Sequence, residues 1–402
     1  MSTQILKTTI TVVLTSKLLI AGCSGGICGV VTPHIPSDIQ ENMQLKPFNM
    51  SNKNIDKSYN GWALVDNGGD NTIGENRLMS GININSLLGK GDKLSLFGLI
   101  TSESLMSGKV SYAYPLPWNN LIAEASYSHT NYTLEEPFPG ATGIGTVSSI
   151  EGKLTYPVID SKEEKLNLSL SFKNNNISEE IDNGFSVSDN EKESYSGTAH
   201  IDFKTKNYPL FNLDTNHKLD IGLTSGYLSF DNPFNEELDT LTFETQGSYT
   251  KINIDYKNSI SLSKNTSIDS NFRSQYAFND KNVDDSESFT IGGTNGVKIY
   301  EEGSAYGSNG FFANIEAKYK LPEFNGIKNS IGAFYDYGQV WESETVNLSS
   351  ETITAQDTGV GIYTTYKKFF SKVQTAFEVG DSEVSTKDDK NYRVILQAGF
   401  VF

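Results

Sequence analysis

The chain has 402 residues and a formal net charge of −17 at pH 7, with 49 acidic against 32 basic side chains. This excess of negative charge argues against nucleic-acid binding, because phosphate recognition needs a basic stripe. Four histidines and two cysteines leave little material for a metal site or a disulfide framework. The length fits either two or three soluble domains or one large barrel.

The first 28 residues are predicted to be an export signal. Lys7 precedes an apolar stretch, "TTITVVLTSKLLIAG", which Lys17 interrupts. The sequence "IAGC" at 20–23 leaves two interpretations open: a lipoprotein cleavage box that makes Cys23 an acylation site, or a plain signal peptide. We favour the plain signal peptide, because the remaining chain predicts a barrel that needs no lipid anchor. No later stretch approaches the ~18–20 apolar residues of a spanning helix.

From residue 61 onward, polar and apolar residues alternate and turn residues recur at regular intervals. This period of two, with many Tyr, Phe, Ser, Thr and Asn residues, predicts an antiparallel all-β chain. Sixteen strands are predicted from the pattern, at 61–67, 75–85, 92–102, 106–117, 120–134, 144–159, 164–177, 194–206, 217–230, 241–258, 266–279, 311–321, 329–342, 354–367, 369–380 and 391–402.

The connections between these strands alternate in length along the chain. The short ones include "SLLGKG", "LPWN", "IDSKEE" and "PEFNGI", whereas the interleaved long ones are acidic and lie at 175–193, 231–240, 343–353 and 381–391. Short periplasmic turns and long extracellular loops are typical of outer-membrane barrels. A soluble β-sandwich has no reason to sort its loops in this way, and a propeller would show a repeat of ~40–50 residues. We therefore predict a 16-stranded antiparallel transmembrane β-barrel of the outer membrane over 61–402.

The faces of the predicted strands agree with a membrane barrel. In 391–402, one face is apolar, while Arg393 and Gln397 lie on the other. The stretch 371–379, "SKVQTAFEV", is sorted in the same way. One face suits lipid and the other a wet lumen. The chain ends on Phe402, and many outer-membrane barrels end on an aromatic residue that the barrel assembly machinery reads, so Phe402 is a candidate assembly signal.

Several stretches of the predicted barrel carry motifs. They are Asp66-Asn67 with Leu88-Gly89-Lys90-Gly91-Asp92, then Tyr112-x-x-Pro115-Leu116, and a long glycine-rich stretch at 289–312, "FTIGGTNGVKIYEEGSAYGSNGFF". Together they resemble the barrel of two-partner secretion transporters of the haemolysin secretion/activation type. The stretch 289–312 is similar to that family's loop after strand eleven, which folds back into the barrel lumen. Its motif residues here are Ile291, Gly292, Gly293, Val297, Lys298, Ile299 and Tyr300.

A second motif, Phe334-x-Asp336-x-Gly338, lies on the thirteenth predicted strand, and the period of two places all three residues on one face. The family has such a motif there, and the resemblance implies that Lys298 pairs with Asp336 while Gly338 leaves room for the loop backbone. The alternative is that these are two unrelated lumen charges.

Two residues depart from the family motif of this loop. Lys298 replaces its arginine, and Ile299 replaces the glycine that follows. Lysine lacks the planar grip of a guanidinium, and isoleucine lacks the freedom of glycine to take a positive φ. The loop tip is therefore expected to be held differently or less firmly.

The segment 29–60 is too short for the periplasmic POTRA domains that precede the barrel in this family. Within 35–45, Ser37 and Gln40 form a capping-box pattern that starts a helix. The resemblance implies a short plug helix inside the pore, and the alternative is an unstructured periplasmic leader.

The resemblance implies an outer-membrane transporter that translocates, and optionally activates, a large secreted partner protein as an unfolded chain. It implies no enzyme activity and no cofactor, a monomer, and contacts with membrane lipid and the barrel assembly machinery. An alternative is a passive pore or a relic barrel that no longer secretes, which the short N-terminal segment favours. An enzyme is disfavoured, because the histidines lack Ser/Asp or Cys partners at plausible spacing; they are His34, His129, His200 and His217.

Overall fold

The computed structural model describes residues 58–402 except 90, 118–119, 136–141, 183–186, 211–212, 348, 381–383 and 385–389. The predictions for the N-terminal segment lie outside the described residues: the export signal at 1–28, the acylation site Cys23 and the plug helix within 35–45. Among the described residues, no helix has both the length and the apolar character needed to cross a membrane.

Sixteen strands form one closed antiparallel barrel, in which the first strand pairs with the last. This confirms the predicted fold. Two further strands, β12 (Phe289–Thr290) and β13 (Tyr306–Gly307), form a separate small sheet. The barrel strands are β1 (Ser58–Asp66), β2 (Arg77–Asn85), β3 (Lys93–Thr101), β4 (Met106–Pro115), β5 (Ile122–Glu135), β6 (Thr142–Asp160), β7 (Glu164–Asp182), β8 (Val187–Leu210), β9 (Leu213–Phe230), β10 (Gly247–Ser261), β11 (Thr266–Ala277), β14 (Asn309–Lys320), β15 (Ile327–Trp341), β16 (Thr352–Tyr366), β17 (Phe369–Glu378) and β18 (Tyr392–Val401).

Apolar side chains cover the outside of the barrel, and polar ones face its lumen. On β7, Leu170 and Phe172 are exposed, whereas the alternating Ser171 is buried. On β18, Leu396 is 50% exposed and Gln397 only 7%. This distribution of apolar and polar side chains is the reverse of that in a soluble protein, and it suits a lipid bilayer. Closure of the sheet also pairs the backbone hydrogen-bonding groups of its first and last strands, which lipid could not do.

The acidic stretch 175–193 is not a loop, and that prediction is wrong. β7 continues to Asp182 and β8 begins at Val187, and the two remain paired in register up to that point. Beyond Phe172, the outward positions of β7 are polar, at Asn174, Asn176, Ser178 and Glu180. A hairpin that projects beyond the lipid needs no apolar outer face, so apolar alternation could not reveal it.

The connection predicted at 231–240 contains a helix, α1 (Pro233–Leu241), so β10 begins at Gly247 rather than at 241. The side chain of Asn232 accepts a hydrogen bond from the backbone N–H of Phe234 at 2.9 Å and caps the helix. Pro233 occupies the first turn, where a missing N–H costs nothing. Both local signals, Asn232 and Pro233, are present in the sequence.

The first hairpin motif and the Tyr-x-x-Pro-Leu motif meet at the turn between β2 and β3. The buried Asp92 carboxylate accepts hydrogen bonds from the backbone N–H groups of Leu87 (2.7 Å), Leu88 (2.9 Å) and Gly89 (2.7 Å) and from the Tyr112 hydroxyl (2.6 Å). Although burial acts to raise it, the Tyr112 and backbone donors lower the pKa of Asp92. This carboxylate therefore fixes the turn.

Replacing Asp92 with alanine is expected to lower the free energy of unfolding by about 2 kcal/mol, because several buried donors lose their acceptor. Asp92→Asn, which keeps one acceptor oxygen, should lose less, and Tyr112→Phe, which removes one donor of the set, should lose least. Urea unfolding in lipid vesicles measures all three. Equal stability of wild type and Asp92→Ala would contradict the structural role of the turn.

Candidate functional site

The connection between β11 and β14, residues 278–308, begins with three exposed residues and then folds into the barrel, and we call it the lumen loop. Its motif residues Ile291, Val297, Ile299 and Tyr300 are each 1% exposed or less. They form one apolar cluster with residues of the barrel wall, among them Phe312, Phe334 and Val340. Burial against the wall explains why so glycine-rich a loop carries apolar side chains.

The lumen loop folds back on itself as a compact hairpin. β12 pairs with β13, and the N–H of Gly293 donates to the carbonyl of Tyr300 at 3.0 Å. Gly293 has φ +94°, and a Cβ at Gly292 would lie 2.2 Å from the carbonyl oxygen of Glu301. Only glycine fits these two positions, so the Gly-Gly pair makes the tight return possible.

The structure brings Lys298 and Asp336 together at the loop tip. Lys298 Nζ lies 2.6 Å from Asp336 Oδ2 and 4.4 Å from the centroid of the Phe334 ring. Asn314 Nδ2 of the neighbouring strand donates to the other carboxylate oxygen of Asp336 at 2.5 Å. Asp336 is fully buried. Lysine holds one oxygen and Asn314 the second, so the two-pronged grip of an arginine is not needed here.

The residue after the lysine is also held by a carboxylate. The backbone N–H of Ile299 donates to Asp357 Oδ2 at 2.8 Å, and Ile299 does not have a positive φ, so glycine is not required. Asp357 lies directly beside Asp336 in the register of β15 and β16, and both side chains are fully buried. The loop tip thus sits between two carboxylates on adjacent strands.

Gly338 makes room for a side chain of the lumen loop and not for its backbone, which corrects the expectation from sequence. A Cβ at Gly338 would lie 2.9 Å from Ile291 Cβ and 3.1 Å from Ile291 Cγ2. Ile291 is fully buried against this part of β15. The two sequence motifs therefore interlock, because isoleucine in one fills the space left by glycine in the other.

Arg393 of β18 ties the loop tip to the first connection of the barrel. Its guanidinium donates to the carbonyl oxygens of Lys298 (3.3 Å) and Tyr300 (2.7 Å) in the lumen loop and to that of Gly69 (3.2 Å) between β1 and β2. The last strand thus positions the loop through backbone carbonyls, independently of the carboxylates on β15 and β16.

A second arginine, Arg77 of β2, bridges wall and loop. Its Nε lies 2.7 Å from Asp66 Oδ1, and its Nη1 lies 3.4 Å from Glu302 Oε2 of the lumen loop. Burial raises the pKa of Glu302, while Arg77 acts to lower it. Asp66, which the sequence analysis assigned to the first hairpin motif, therefore orients the arginine that meets the loop.

Two lysines of the wall hold the base of the lumen loop. Lys192 Nζ lies 2.9 Å from Asp284 Oδ2, and Lys251 Nζ lies 2.6 Å from Glu287 Oε2. Although burial acts to raise them, the pKa values of Asp284 and Glu287 are lowered by these ammonium groups. Because the shifts are downward, the stability from these pairs is present above the ordinary carboxyl pKa and is lost as pH falls through the lowered values.

Asn282 joins the base of the lumen loop to two extracellular connections. Its Nδ2 donates to the carbonyl oxygens of Phe243 (3.1 Å) and Ser343 (3.1 Å), and its Oδ1 accepts from the N–H of Ser343 at 2.8 Å. Asn282 is 2% exposed. One buried amide therefore fastens the α1–β10 segment and the β15–β16 connection over the outer end of the loop.

Asn282→Ala is expected to loosen this outer closure by about 1–3 kcal/mol, because it leaves buried backbone groups without partners. Hydrogen exchange of residues 242–246 and 342–346 should speed up. Asn347→Ala is the matched control, since Asn347 makes one exposed hydrogen bond between the same connections, to the carbonyl of Leu241 at 2.9 Å. If both variants exchange at the wild-type rate, Asn282 does not hold the closure.

Asp357, Asn282 and Arg77 belong to no motif recognised in the sequence. A usable signal existed for Asp357: it is an acidic residue in a predicted strand, 354–367, on the parity that faces the lumen. No comparable signal marked Asn282, whose partners are backbone groups of connections distant in the sequence.

The sequence model of the family "Haemolysin secretion/activation protein ShlB/FhaC/HecB" matches residues 49–361. The chain belongs to this family. The match covers β1 to β15 and most of β16, and it includes the lumen loop and the Phe334-x-Asp336-x-Gly338 motif.

Individual relatives agree with the family assignment. The chain is 25% identical over 286 residues to the heme/hemopexin transporter protein HuxB of Haemophilus influenzae (strain 86-028NP), which covers 70% of this chain and 49% of HuxB. The chain thus spans about half the length of the curated relatives it matches. Among solved structures, CdiB from Escherichia coli superposes with TM-score 0.69 at 15% identity, covering 87% of this chain and 64% of CdiB. CdiB from Acinetobacter baumannii gives 0.60 at 16% identity, covering 86% and 60%.

The solved structures share the barrel fold with this chain. Family membership and a closed 16-stranded barrel with an apolar outer surface place the protein in the bacterial outer membrane. This confirms the localisation that the alternation of short and long connections predicted.

Proposed function

We propose that this chain is the barrel of an outer-membrane transporter that passes a large secreted partner protein, as an extended unfolded chain, by two-partner secretion. The lumen loop carries the proposal, because a gated passage needs a segment that occupies the lumen when closed, and this loop is buried inside the barrel. Its tip is fixed at a buried ion pair, Lys298 with Asp336, beside the apolar cluster that the loop shares with the wall. No residue performs bond chemistry in this function.

Polar contacts suit a loop that must leave and return. Displacing the loop exposes Lys298, Asp336 and Asp357 to a water-filled lumen, where hydration repays much of the lost pairing. Opening also exposes the apolar side chains of the loop, among them Ile291 and Tyr300, and this cost favours the return of the loop to its closed position. The loop is continuous with β11 at one end and β14 at the other. These attachments limit how far it can move and allow it to return to its closed position.

The remaining sequence predictions belong to this proposal. The segment 1–28 is the export signal, and it is followed by a short periplasmic segment or plug helix that precedes the barrel. Phe402 serves as the signal for the barrel assembly machinery; its N–H and C=O pair with Gly61, beside the closing contact of β18 with β1. The protein acts as a monomer in contact with outer-membrane lipid.

Secretion tests the proposal directly. The chain is expressed with the large exported protein encoded beside it, and that protein is quantified in the medium against a host without the barrel. Heat-modifiable migration on gels checks that the barrel is folded in each sample. Cargo in the medium only with the barrel supports a transporter. Cargo retained in the periplasm beside a folded barrel would favour the passive pore or relic barrel instead.

A further inference from the structure

Two rows of like charge cross the lumen wall near the short-turn ends of β7 to β10. The lysine row is a set of directly paired residues, one on each of the four strands: Lys165, Lys204, Lys218 and Lys257. The aspartate row lies two residues further along β8, β9 and β10, again in direct register: Asp202, Asp220 and Asp255. Neither row belongs to the contacts that hold the lumen loop.

Both rows face the water-filled lumen. The alternating residues Leu168 and Ile201 are exposed on the outer, apolar face, which places the charged residues inside. The side chains of Lys204 and Lys257 are 45% and 49% exposed, and that of Asp220 is 39% exposed. Contacts within a strand are long, with Lys204 Nζ 3.9 Å from Asp202 Oδ1. These charges are accessible to a ligand.

Stability alone does not account for this arrangement. Like charges directly opposite each other on neighbouring strands are unfavourable. Elsewhere on the wall a lumen lysine is held closely: Lys318 of β14 lies 2.9 Å from Asp269 of β11, and its side chain is 18% exposed. Opposite charges also lie near the rows, since Asp220 is 3.7 Å from His200 and Asp255 pairs in register with Arg273 of β11. The contacts between the two rows are looser, at 3.9 Å and 4.0 Å, and the like-charged pairs remain the kind of local conflict expected at a binding site.

The spacing of the rows indicates the ligand. Lysine and aspartate on one strand are two residues apart, about 6.6–6.8 Å, which is also the spacing of same-face side chains in an extended guest chain. We propose that the rows bind an extended polypeptide segment with an acidic and a basic residue two positions apart. The guest carboxylate meets the lysine row and its cation meets the aspartate row. This inference rests on the proposed function, since it describes a charge pattern in the secreted protein that passes through the barrel.

Two synthetic peptides of equal composition test the pairing. One repeats Glu and Lys two positions apart in a serine background; the other places Glu and Lys adjacent, so that they point to opposite faces of an extended chain. Fluorescence anisotropy with the full-length protein in nanodiscs measures binding. The first peptide is expected to bind roughly fivefold more tightly, as two or three accessible ion pairs would give.

The variant Lys218→Gln/Lys257→Gln should weaken binding of the first peptide by about the same factor. Lys367→Gln/Lys368→Gln is the matched control, because it removes the same charge from the β16–β17 turn, outside the lumen. Equal binding of the two peptides, or no effect of the lumen variant, overturns the proposal. Stronger binding of inorganic polyphosphate than of the first peptide also overturns it, since the site would then be a general polyanion site.

The peptide-binding assay and the secretion assay can reject their two proposals independently of each other. Pattern-selective peptide binding without secretion leaves the rows as a peptide site and removes the transporter function. Secretion with binding that ignores the pattern leaves the transporter and removes the rows as its recognition element.

Discussion

Replacing Lys298 with alanine is expected to raise the single-channel conductance of the barrel in planar bilayers several-fold. The change leaves Asp336 and Asp357 buried side by side with no ammonium group at the loop tip. Removing one partner of a buried ion pair costs about 3 kcal/mol or more. That corresponds to about two orders of magnitude in the equilibrium between the seated and the displaced loop.

Lys318→Ala provides the matched control for this experiment. Lys318 is also a lumen lysine with carboxylate partners, Asp269 at 2.9 Å and Glu316 at 3.0 Å, but these partners belong to the wall and not to the loop. Its removal should leave conductance near the wild-type value. Lys298→Asp combined with Asp336→Lys should partly restore closure, and Lys298→Arg should retain it. Wild-type conductance in all four variants would show that the Lys298–Asp336 pair does not hold the channel closed.

Most of the fold could be predicted from the sequence, because the bilayer imposes a strict pattern. An outward face in lipid must be apolar and an inward face can be polar, so period-two alternation marks each spanning strand. Predicted and observed strand ends differ by a few residues for most strands. The pattern failed where the lipid ends: the β7–β8 hairpin beyond Phe172 and helix α1 lie outside the bilayer, where no such constraint acts.

The candidate site could be predicted in part only. Lys298 and Asp336 were named from the family motifs, and the structure brings their charged groups to 2.6 Å. The roles of Asn314, Asp357 and Arg393 depend on which residue lies opposite which across the wall. That register follows from strand pairing and from the path of a long loop, neither of which a single sequence specifies.

Gly338→Leu is expected to displace the lumen loop even though every charged contact remains. The first added carbon would already lie 2.9 Å from Ile291 Cβ, closer than such atoms come in folded proteins. β15 is paired on both sides along its length and cannot yield, so Ile291 must leave the apolar cluster. Overpacking of this kind costs about 1–3 kcal/mol. Conductance should rise, and proteases added outside should cleave within the lumen loop.

Gly332→Leu is the matched control for this variant. Gly332 lies on the same strand and the same face, and the atom nearest to an added Cβ is Glu316 Oε1 at 2.7 Å, the movable end of a side chain. It meets no residue of the loop, so conductance should stay near wild type. Gly338→Ala should fall between the two leucine variants. If Gly338→Leu and Gly332→Leu give the same conductance, the packing of Ile291 against Gly338 does not position the loop. Its charged contacts alone must then hold it closed.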